Sequence, residues 1–481
     1  MKPRFIAATA ASCLLLALGA GFAGADNLPD LGDASALDVP PALERLVGEA
    51  QMNEIRLREP RFLDDAELTF YLQGLANRLL AAGDTAGVEI RLFALDDPSI
   101  NAFAMFGGYI GVNTGLITAA QSESEVAGVL AHEIAHVSQR HLARQVAAQK
   151  QVALGSMLAI AVAIFAARSN AEVANAALAT SQAAGIQAQL GFSRDHEREA
   201  DRIGFEMMQR SGLDSRAMVS FFQRLQRAGR VYENNAPTYL RTHPLTLDRI
   251  TDLEHRVAQA APYAQRNGGA SEFPLIQAKL LSMRGPTADA LEGARDRYDK
   301  AADKPVSSYG LAVALTRTLQ FDEAARVIAD ADARSPLVQR LAAEIAAARG
   351  QRDEAEQRYR QALAAHGERP ALWYGLADLL LASGQHEQAR ELLDRRLRKV
   401  NDDPDAHARL ARAYEGLGRI ASRHRAQAEA YQLRGQTLAA IEQLELAQRA
   451  GTSDFVEQSM IDARLRELKR RQSDRAPDAR K

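Results

Sequence analysis

Cysteine is almost absent from this sequence: Cys13 is the only one in 481 residues. It lies inside an apolar stretch near the N-terminus, and residues 10–12 before it make a poor lipoprotein signal. A disulfide within the chain is therefore excluded. We expect stability to come from apolar burial, from helix packing and from a bound metal.

An excess of one charge is absent as well. Lysine and arginine number 59 against 61 aspartates and glutamates, which gives a net charge of −2. Proteins that bind nucleic acid usually carry a basic surface, so we expect no nucleic-acid partner. Hydrophobic residues make up 47% of the chain, as is typical of globular proteins, and its length suffices for two to four domains.

Long apolar runs are lacking too, and the first of two short ones lies at the N-terminus. In "MKPRFIAATAASCLLLALGAGFAGAD", Lys2 and Arg4 precede an apolar stretch over residues 5–18, and small residues follow at 23–25. This pattern predicts a secretory signal peptide that is cleaved near Ala25, and therefore export to the periplasm. A retained membrane anchor is the alternative, although the apolar stretch is short for one.

The second apolar run, "QVALGSMLAIAVAIFAA" (151–167), carries no charge. As a helix it would be about 26 Å long, just short of a hydrocarbon core of about 30 Å. A core helix is our first interpretation. Peripheral contact with a membrane or a hydrophobic client comes second, and a true membrane span comes last.

The stretch "VLAHEIAHVSQRH" (129–141) contains the pattern H-E-x-x-H. On a helix, His132 and His136 lie on one face and can both bind one metal ion. Glu133 can then lean toward the open coordination position and accept a proton, as in zinc peptidases. Uncharged neighbours indicate a buried helix. The alternative is a structural helix with two partly buried histidines.

A third metal ligand is expected in "GFSRDHEREADRIGFEMM" (191–208). Glu197 and Asp201 share a helix face with Gly204, where a glycine would let a second helix approach closely. We predict Glu197 as the ligand and Asp201 as the acceptor of a ligating histidine's free N–H, while Glu199 points away. The alternative is a solvated charged helix, which three arginines would suit: Arg194, Arg198 and Arg202.

Strand patterns precede the H-E-x-x-H helix. "GVEIRLFAL" (87–95) predicts one strand, and "NAFAMFGGYIGVNTGLI" (101–117) predicts a strand pair that turns at Gly107 and Gly108. We expect residues 101–106 to form an edge strand that holds the substrate backbone by strand addition. A plain core hairpin is the alternative.

The C-terminal half repeats with a period of 34 residues. Gly350, Gly384 and Gly418 follow that spacing, as do Pro370 and Pro404. Such a period predicts helix pairs of the tetratricopeptide type, and the segment has room for about five of them. We therefore predict a mainly α protein, in which an α+β zinc metallopeptidase domain with a small sheet precedes an all-α solenoid.

The domain boundaries follow from these patterns. We predict a signal peptide (1–25), a metallopeptidase domain (26–265), a linker and start of the solenoid (266–305), the tetratricopeptide repeats (306–470) and a basic tail (471–481).

Three motifs together carry a family resemblance. "HEIAHVSQRH", "SRDHEREADRIG" and "NAFAMFGGYIGVNTGLI" resemble the metallopeptidase family of the CAAX prenyl protease and the heat-shock protease HtpX, over roughly residues 45–255. The family pattern continues from H-E-x-x-H to E-x-x-x-D about sixty residues later. The resemblance implies one zinc ion per chain, bound by His132, His136 and Glu197, with Glu133 as the catalytic glutamate. It points to the soluble, exported branch, because the chain lacks the several membrane spans of other members.

A T-H-P-L motif at residues 242–245 supports that branch. Pro244 would hold His243 in a defined loop. In the exported branch this histidine lies near the zinc, so the resemblance implies that His243 fills the fourth coordination position or contacts the transition state. We interpret the remaining nearby histidines as polar surface: His141, His196 and His255.

The resemblance also implies a function in quality control. We expect a zinc endopeptidase that cleaves misassembled outer-membrane β-barrel proteins, assists correctly assembling ones, and contacts the barrel-assembly machinery through its solenoid. A non-catalytic chaperone or scaffold with a structural zinc is one alternative, and a processing peptidase with one dedicated substrate is another.

Overall fold

The computed structural model describes residues 39–85, 87–149, 193–231, 238–260, 271–302 and 304–475. Helices dominate these residues, and a small sheet lies within the first part of the chain. The predicted fold class is confirmed, because an α+β part is followed by a solenoid of paired helices.

The sheet has four strands, β1 (Phe62–Leu63), β2 (Arg91–Leu95), β3 (Ala102–Ala104) and β4 (Tyr109–Asn113). Their order is β1-β2-β4-β3. Strands β2 and β4 run parallel, whereas β3 pairs antiparallel with β4 and places Ala102 opposite Val112. Strand β3 therefore lies at one edge of the sheet.

The strand prediction is confirmed in its main parts. Strand β2 lies within the predicted residues 87–95, and β3 and β4 form the predicted pair. The turn between them is a short 3-10 segment, in which Gly107 and Gly108 have φ of 72° and 78°. A β-carbon on Gly108 would lie 1.9 Å from the Glu89 carbonyl oxygen, so this turn needs glycine for its conformation and for its close packing.

Nine helices of the described residues belong to the same part of the chain as the sheet. They are α1 (Pro41–Arg58), α2 (Ala66–Leu80), α3 (Thr114–Ala119), α4 (Glu123–Ser138), α5 (141–149), α6 (193–210), α7 (Arg216–Val231), α8 (Thr238–Thr242) and α9 (Leu247–Gln259).

Helix α4 lies at the centre of this part. The Ser122 hydroxyl caps its first turn by accepting the Glu125 N–H at 3.3 Å. Every residue from Glu125 to Ala135 is buried, and the Glu125 carboxylate pairs with Arg224 of α7 at 2.6 Å. A helix that is enclosed on all sides holds its side chains in fixed positions, as a catalytic site requires.

The solenoid consists of twelve helices of the described residues. They are α10 (Phe273–Met283), α11 (Thr287–Lys300), α12 (Lys304–Arg317), α13 (Phe321–Ile328), α14 (Pro336–Ala348), α15 (Arg352–Ala365), α16 (Pro370–Ala382), α17 (His386–Lys399), α18 (Pro404–Gly416), α19 (Ile420–Leu433), α20 (Thr437–Ala450) and α21 (Phe455–Arg475).

The 34-residue period matches the helix pairs. Gly350, Gly384 and Gly418 follow the first helix of a pair with φ of 79°, 73° and 69°. This left-handed conformation strains any residue with a β-carbon, so glycine recurs at the turn that ends the first helix of each pair. An earlier unit departs from the pattern, since Leu319 occupies the corresponding turn with φ of 60°.

The solenoid packs against the first part of the chain at a buried ion network. Lys279 of α10 lies 2.6 Å from both the Asp65 and Glu67 carboxylates, at the start of α2. Arg340 of α14 reaches the other oxygen of Glu67, also at 2.6 Å. These contacts join the two parts around four charged groups, of which Glu67 and Lys279 are buried and Asp65 and Arg340 are partly exposed.

Several sequence predictions lie outside the described residues. These are the signal peptide at 1–25, the apolar run at 151–167, the domain boundary at 265/266 and residues 476–481 of the tail. Within the described part of the chain, no helix is long and apolar enough to cross a membrane.

Candidate metal centre and active site

Helix α4 presents the H-E-x-x-H residues. Because His132 and His136 are four residues apart on a regular helix, their Nε2 atoms come within 3.0 Å of each other. His132 and Glu133 are fully buried, and His136 is nearly so. The helix therefore holds two imidazoles side by side in the interior.

Helix α6 crosses close to α4 and contributes Glu197. At Gly204, a β-carbon would lie 3.1 Å from the backbone of Ala131 and His132, so the glycine permits this approach as the sequence predicted. The Glu197 carboxylate then lies 3.4 Å from the Nε2 atoms of His132 and His136.

The loop after α8 contributes His243. The backbone N–H of His243 donates to the Tyr239 carbonyl at 2.8 Å, and the His243 ring stacks on the Tyr239 ring at 4.7 Å between centroids. This places His243 Nδ1 3.0 Å from Glu197 Oε1 and 3.3 Å from His132 Nε2.

These four residues form a donor set that fits a metal ion. One ligand atom from each of His132, His136, Glu197 and His243 lies within 4.8 Å of the other three. Two imidazole nitrogens that face each other at 3.0 Å share at most one proton, so lone pairs converge in a buried space. Such a set of nitrogens and one carboxylate suits a first-row divalent cation.

Comparisons with known proteins agree with this geometry. Residues 66–257 match the model of peptidase family M48, and residues 346–413 match a tetratricopeptide repeat model. Over 481 residues, the chain is 30% identical to the beta-barrel assembly-enhancing protease of Escherichia coli (strain K12), covering 98% of this chain and 97% of that protein.

The chain belongs to the beta-barrel assembly-enhancing protease family. The Yersinia pestis member is 30% identical over 92% of both chains. A more distant relative, the mitochondrial metalloendopeptidase OMA1 of Schizosaccharomyces pombe, is 30% identical over 44% of this chain and 59% of that protein. With its M48 domain, this family member is a metallopeptidase.

In this metallopeptidase, Asp201 and Arg249 support the donor set from behind. Asp201 Oδ1 lies 3.0 Å from His132 Nδ1, where it can hold the ring with Nε2 toward the cluster. Arg249 binds both oxygens of Asp201, at 2.7 and 2.8 Å, and also lies 2.7 Å from Glu197. Sequence reasoning missed Arg249, although it lies on the helix that follows the T-H-P-L motif.

Glu133 connects the donor set to the edge of the sheet. Its Oε2 accepts the Ala104 N–H of β3 at 3.1 Å. Its Oε1 lies 3.4 Å from His243 Nε2 and accepts no hydrogen bond from the described residues. Burial raises the pKa of Glu133 above its usual value. A raised pKa brings a carboxylate closer to the range in which it exchanges protons at neutral pH.

The two histidines of α4 differ in their electrostatic surroundings. Burial disfavours the charged form of His132, but hydrogen bonds with Asp201 and Glu197 outweigh it and raise its pKa to about 9. Burial lowers the pKa of His136 well below its usual value, and the nearby His132 lowers it further. A metal ion binds only the neutral imidazole, so binding to both residues would release any proton that His132 carries.

The interpretation of His141 and His196 as polar surface is wrong. Their exposed fractions are only 3% and 5%, and the His141 ring stacks on the ring of His196 from helix α6 at 4.1 Å. Glu199 points away from the donor set, as expected, but it contacts His141 Nε2 at 3.0 Å. His255 is exposed, as expected. The sequence signal that could have revealed this contact is the short separation of five residues between His136 and His141.

Proposed function

We propose that the protein is a zinc endopeptidase of the periplasm that degrades misassembled outer-membrane β-barrel proteins and assists the assembly of others. The separations between neighbouring ligand atoms carry the zinc assignment. Five such contacts among His132, His136, Glu197 and His243 measure 3.0 to 3.4 Å, with both Glu197 oxygens taking part, and one ligand atom from each residue lies within 4.8 Å of the others. A tetrahedral ion with bonds of about 2.0–2.1 Å requires ligand atoms about 3.3 Å apart.

The residues around the donor set divide the chemical work. A zinc ion held there would supply Lewis acidity, which polarises the scissile carbonyl and makes water acidic near neutral pH. Glu133 would take the proton of the attacking water and pass it to the leaving amine. Asp201 would keep His132 in the metal-binding tautomer. His243 would either bind the metal as a fourth ligand in the resting enzyme or contact the transition state.

The edge strand β3 offers a place for the substrate backbone. It ends the sheet, and its Ala104 amide is hydrogen-bonded to the catalytic glutamate. An extended client segment that pairs with β3 would have its backbone beside Glu133. Unfolded β-barrel proteins consist of such segments.

The solenoid offers a second place for a client or for the barrel-assembly machinery. A cavity of about 740 Å³ lies between its helices and the start of α2, and charges of both signs line it, including Asp64, Arg352 and Asp405. The names of the relatives and the predicted signal peptide support the periplasm and the β-barrel clients. We keep peripheral membrane contact through residues 151–167 as part of this proposal.

Zinc analysis combined with a cleavage assay tests the function. Purified protein should contain one zinc per chain and cleave an unfolded outer-membrane β-barrel protein and casein. Glu133→Gln should contain the same zinc and cleave neither. A wild-type protein that is loaded with zinc and cuts neither substrate would favour the chaperone alternative, and cleavage at one sequence in one protein would favour a dedicated processing enzyme.

A further inference from the structure

The chain reverses direction sharply after the H-E-x-x-H helix. Arg140 has φ of 52°, a left-handed conformation that is unfavourable for a residue with a β-carbon. Its guanidinium is held by the Glu44 carboxylate, with Nε at 2.8 Å, and by the Val39 carbonyl at 2.6 Å. These contacts fix the turn, so that the next residue, His141, lies against His136.

His141 contacts the back of the His136 ring. The Nδ1 atoms of the two rings are 2.8 Å apart, and the rings meet edge to face. The other nitrogen of His136, Nε2, faces His132 and Glu197 in the donor set. One hydrogen lies between the two Nδ1 atoms, so one ring donates and the other accepts.

The far side of His141 decides which ring donates. Its Nε2 lies 3.0 Å from Glu199 Oε2, and the same oxygen accepts a hydrogen bond from Arg144 at 3.0 Å. An ionised carboxylate accepts only, so His141 Nε2 must carry the hydrogen and His141 Nδ1 must be the acceptor. The ring cannot easily rotate, because it stacks on His196 at 4.1 Å with an interplanar angle of 6°.

We propose that His141 is a positioning residue that holds His136 in its metal-binding tautomer. The hydrogen bonds run in one direction: His136 Nδ1–H donates to His141, and His141 Nε2–H donates to Glu199. This leaves His136 Nε2 unprotonated toward the donor set. Asp201 does the same for His132 through one direct contact. The inference rests on the proposed function, because it requires that the donor set binds a metal.

Zinc affinity, measured by competition with a chromophoric chelator, tests the proposal without any cleavage assay. His141→Phe keeps a ring but removes both hydrogen bonds, and should weaken zinc binding about 10–100-fold. His141→Asn places an acceptor near the position of Nδ1 and should bind zinc within about threefold of the wild type. Rescue by asparagine would not follow from a packing role of the ring.

A second pair of variants protects the test against a folding defect. Glu199→Ala should weaken zinc binding about tenfold, at the low end of such effects. Its matched control is Glu206→Ala on the same helix, since Glu206 also pairs with an arginine but lies away from the donor set. That control should bind zinc as the wild type does.

In zinc-loaded protein, the His136 Nδ1–H proton should give a slowly exchanging NMR signal that His141→Phe loses.

Three results would overturn the proposal. Wild-type affinity in both His141→Phe and Glu199→Ala would remove the positioning role. Equal losses in His141→Phe and His141→Asn, with unchanged melting temperatures of the metal-free proteins, would show that the hydrogen bond is not what matters. If the wild type binds no zinc, or binds it as well after His136→Ala, the proposed metal centre itself fails and the positioning role fails with it.

Discussion

Two carboxylates in the donor region have opposite electrostatic surroundings. Burial raises the pKa of Glu133, with no lysine or arginine among its described partners to offset it. Burial acts in the same direction on Glu197, but hydrogen bonds with His132 and His243 outweigh it and lower the pKa below its usual range. Two carboxylates whose pKa values are shifted in opposite directions usually have different roles in a reaction. Glu197 suits a permanently charged ligand, and Glu133 suits a group that exchanges a proton.

Glu133→Gln tests the role of the proton acceptor. The amide fills the same space and can keep a hydrogen bond with the Ala104 N–H, but it cannot take a proton from water. We expect full zinc content, an unchanged melting temperature and a loss of proteolysis of at least about 100-fold. Cleavage of casein at equal zinc occupancy measures it, and a rate near that of the wild type would remove Glu133 from the mechanism.

His243→Ala distinguishes two roles for the loop histidine. Its Nδ1 lies 3.0 Å from Glu197 and its Nε2 lies 3.4 Å from Glu133, so the ring lies between the proposed metal ligand and the proposed proton acceptor. If His243 closes the site at rest, the alanine variant should retain zinc through three ligands and cleave a generic unfolded protein faster than the wild type.

The opposite result would indicate a contact with the transition state. In that case the variant retains zinc but cleaves more slowly. The comparison requires equal zinc occupancy in both proteins. An unchanged rate would contradict both roles, and loss of zinc would indicate that His243 is a structural ligand.

At the scale of the element, the sequence predicted those contacts that depend only on which residues share a helix face. The spacing of His132 and His136 and the glycine at 204 placed α4 and α6 against each other, because both follow from residues on one helix face. Arg249 and His141 could not be found in this way. Their positions depend on a loop and on the left-handed turn at Arg140, which no periodicity reports.

Gly204→Ala tests the close approach of α6 to α4. Alanine normally stabilises a helix interior by about 0.5–1 kcal/mol relative to glycine. At this position its β-carbon would lie 3.1 Å from the α4 backbone, so α6 must shift and carry Glu197 with it. We expect lower zinc affinity and no gain in stability.

Gly74→Ala on α2 is the matched control. A β-carbon there meets nothing within 4 Å, so this variant should become more stable at unchanged zinc affinity. If Gly204→Ala matches Gly74→Ala in both stability and zinc affinity, the approach of α6 to α4 does not depend on Gly204.

Leu319 predicts a stabilising substitution in the solenoid. Its side chain is 73% exposed, so it buries little, while its φ of 60° strains the backbone by about 1–2 kcal/mol. Leu319→Gly should remove that strain, lose part of the gain to the entropy of the unfolded chain, and still raise the free energy of unfolding by up to about 1 kcal/mol. Gly384→Ala should lower it by a similar amount. Urea unfolding measures both, and changes of the same sign would contradict the argument.

At the scale of the molecule, the buried ion network ties stability to pH. Burial alone would raise the pKa of Asp65, but the contact with Lys279 lowers it below the usual value of 3.8. A carboxyl with a lowered pKa stabilises the folded protein above its unfolded pKa and loses that contribution as the pH falls through the folded value. The loss is therefore confined to acid below about pH 4.

Asp65→Asn tests this coupling. Asparagine still caps α2, where Asp65 accepts the N–H groups of Glu67 and Leu68 at 3.0 and 2.9 Å, but it removes one charge beside Lys279. We expect about 1–3 kcal/mol less stability at neutral pH and a shallower decline below pH 4. Urea unfolding across pH measures both. An equally steep decline in the variant would assign the acid sensitivity to other carboxylates.

The docking of the solenoid onto the first part of the chain was beyond sequence reasoning. Lys279, Asp65 and Arg340 are ordinary charged residues in their own segments, and only the folded chain brings them together. The repeat period fixes how each helix pair contacts the next one, but it carries no information about which distant surface covers its first units.

Helix α1 joins two regions that are far apart in the sequence. A β-carbon on its Gly48 would lie 2.0 Å from the Phe106 carbonyl oxygen, so the helix presses on the turn that follows the edge strand. On the same helix, Asn53 packs against the backbone of Gly435 so closely that a β-carbon there would lie 1.9 Å from its amide nitrogen. Contacts between sequence-distant residues form after local ones. Because Gly435 lies hundreds of residues after Asn53, we expect α1 to gain this second contact, and the turn beside the edge strand its full support, only when the last repeats have folded.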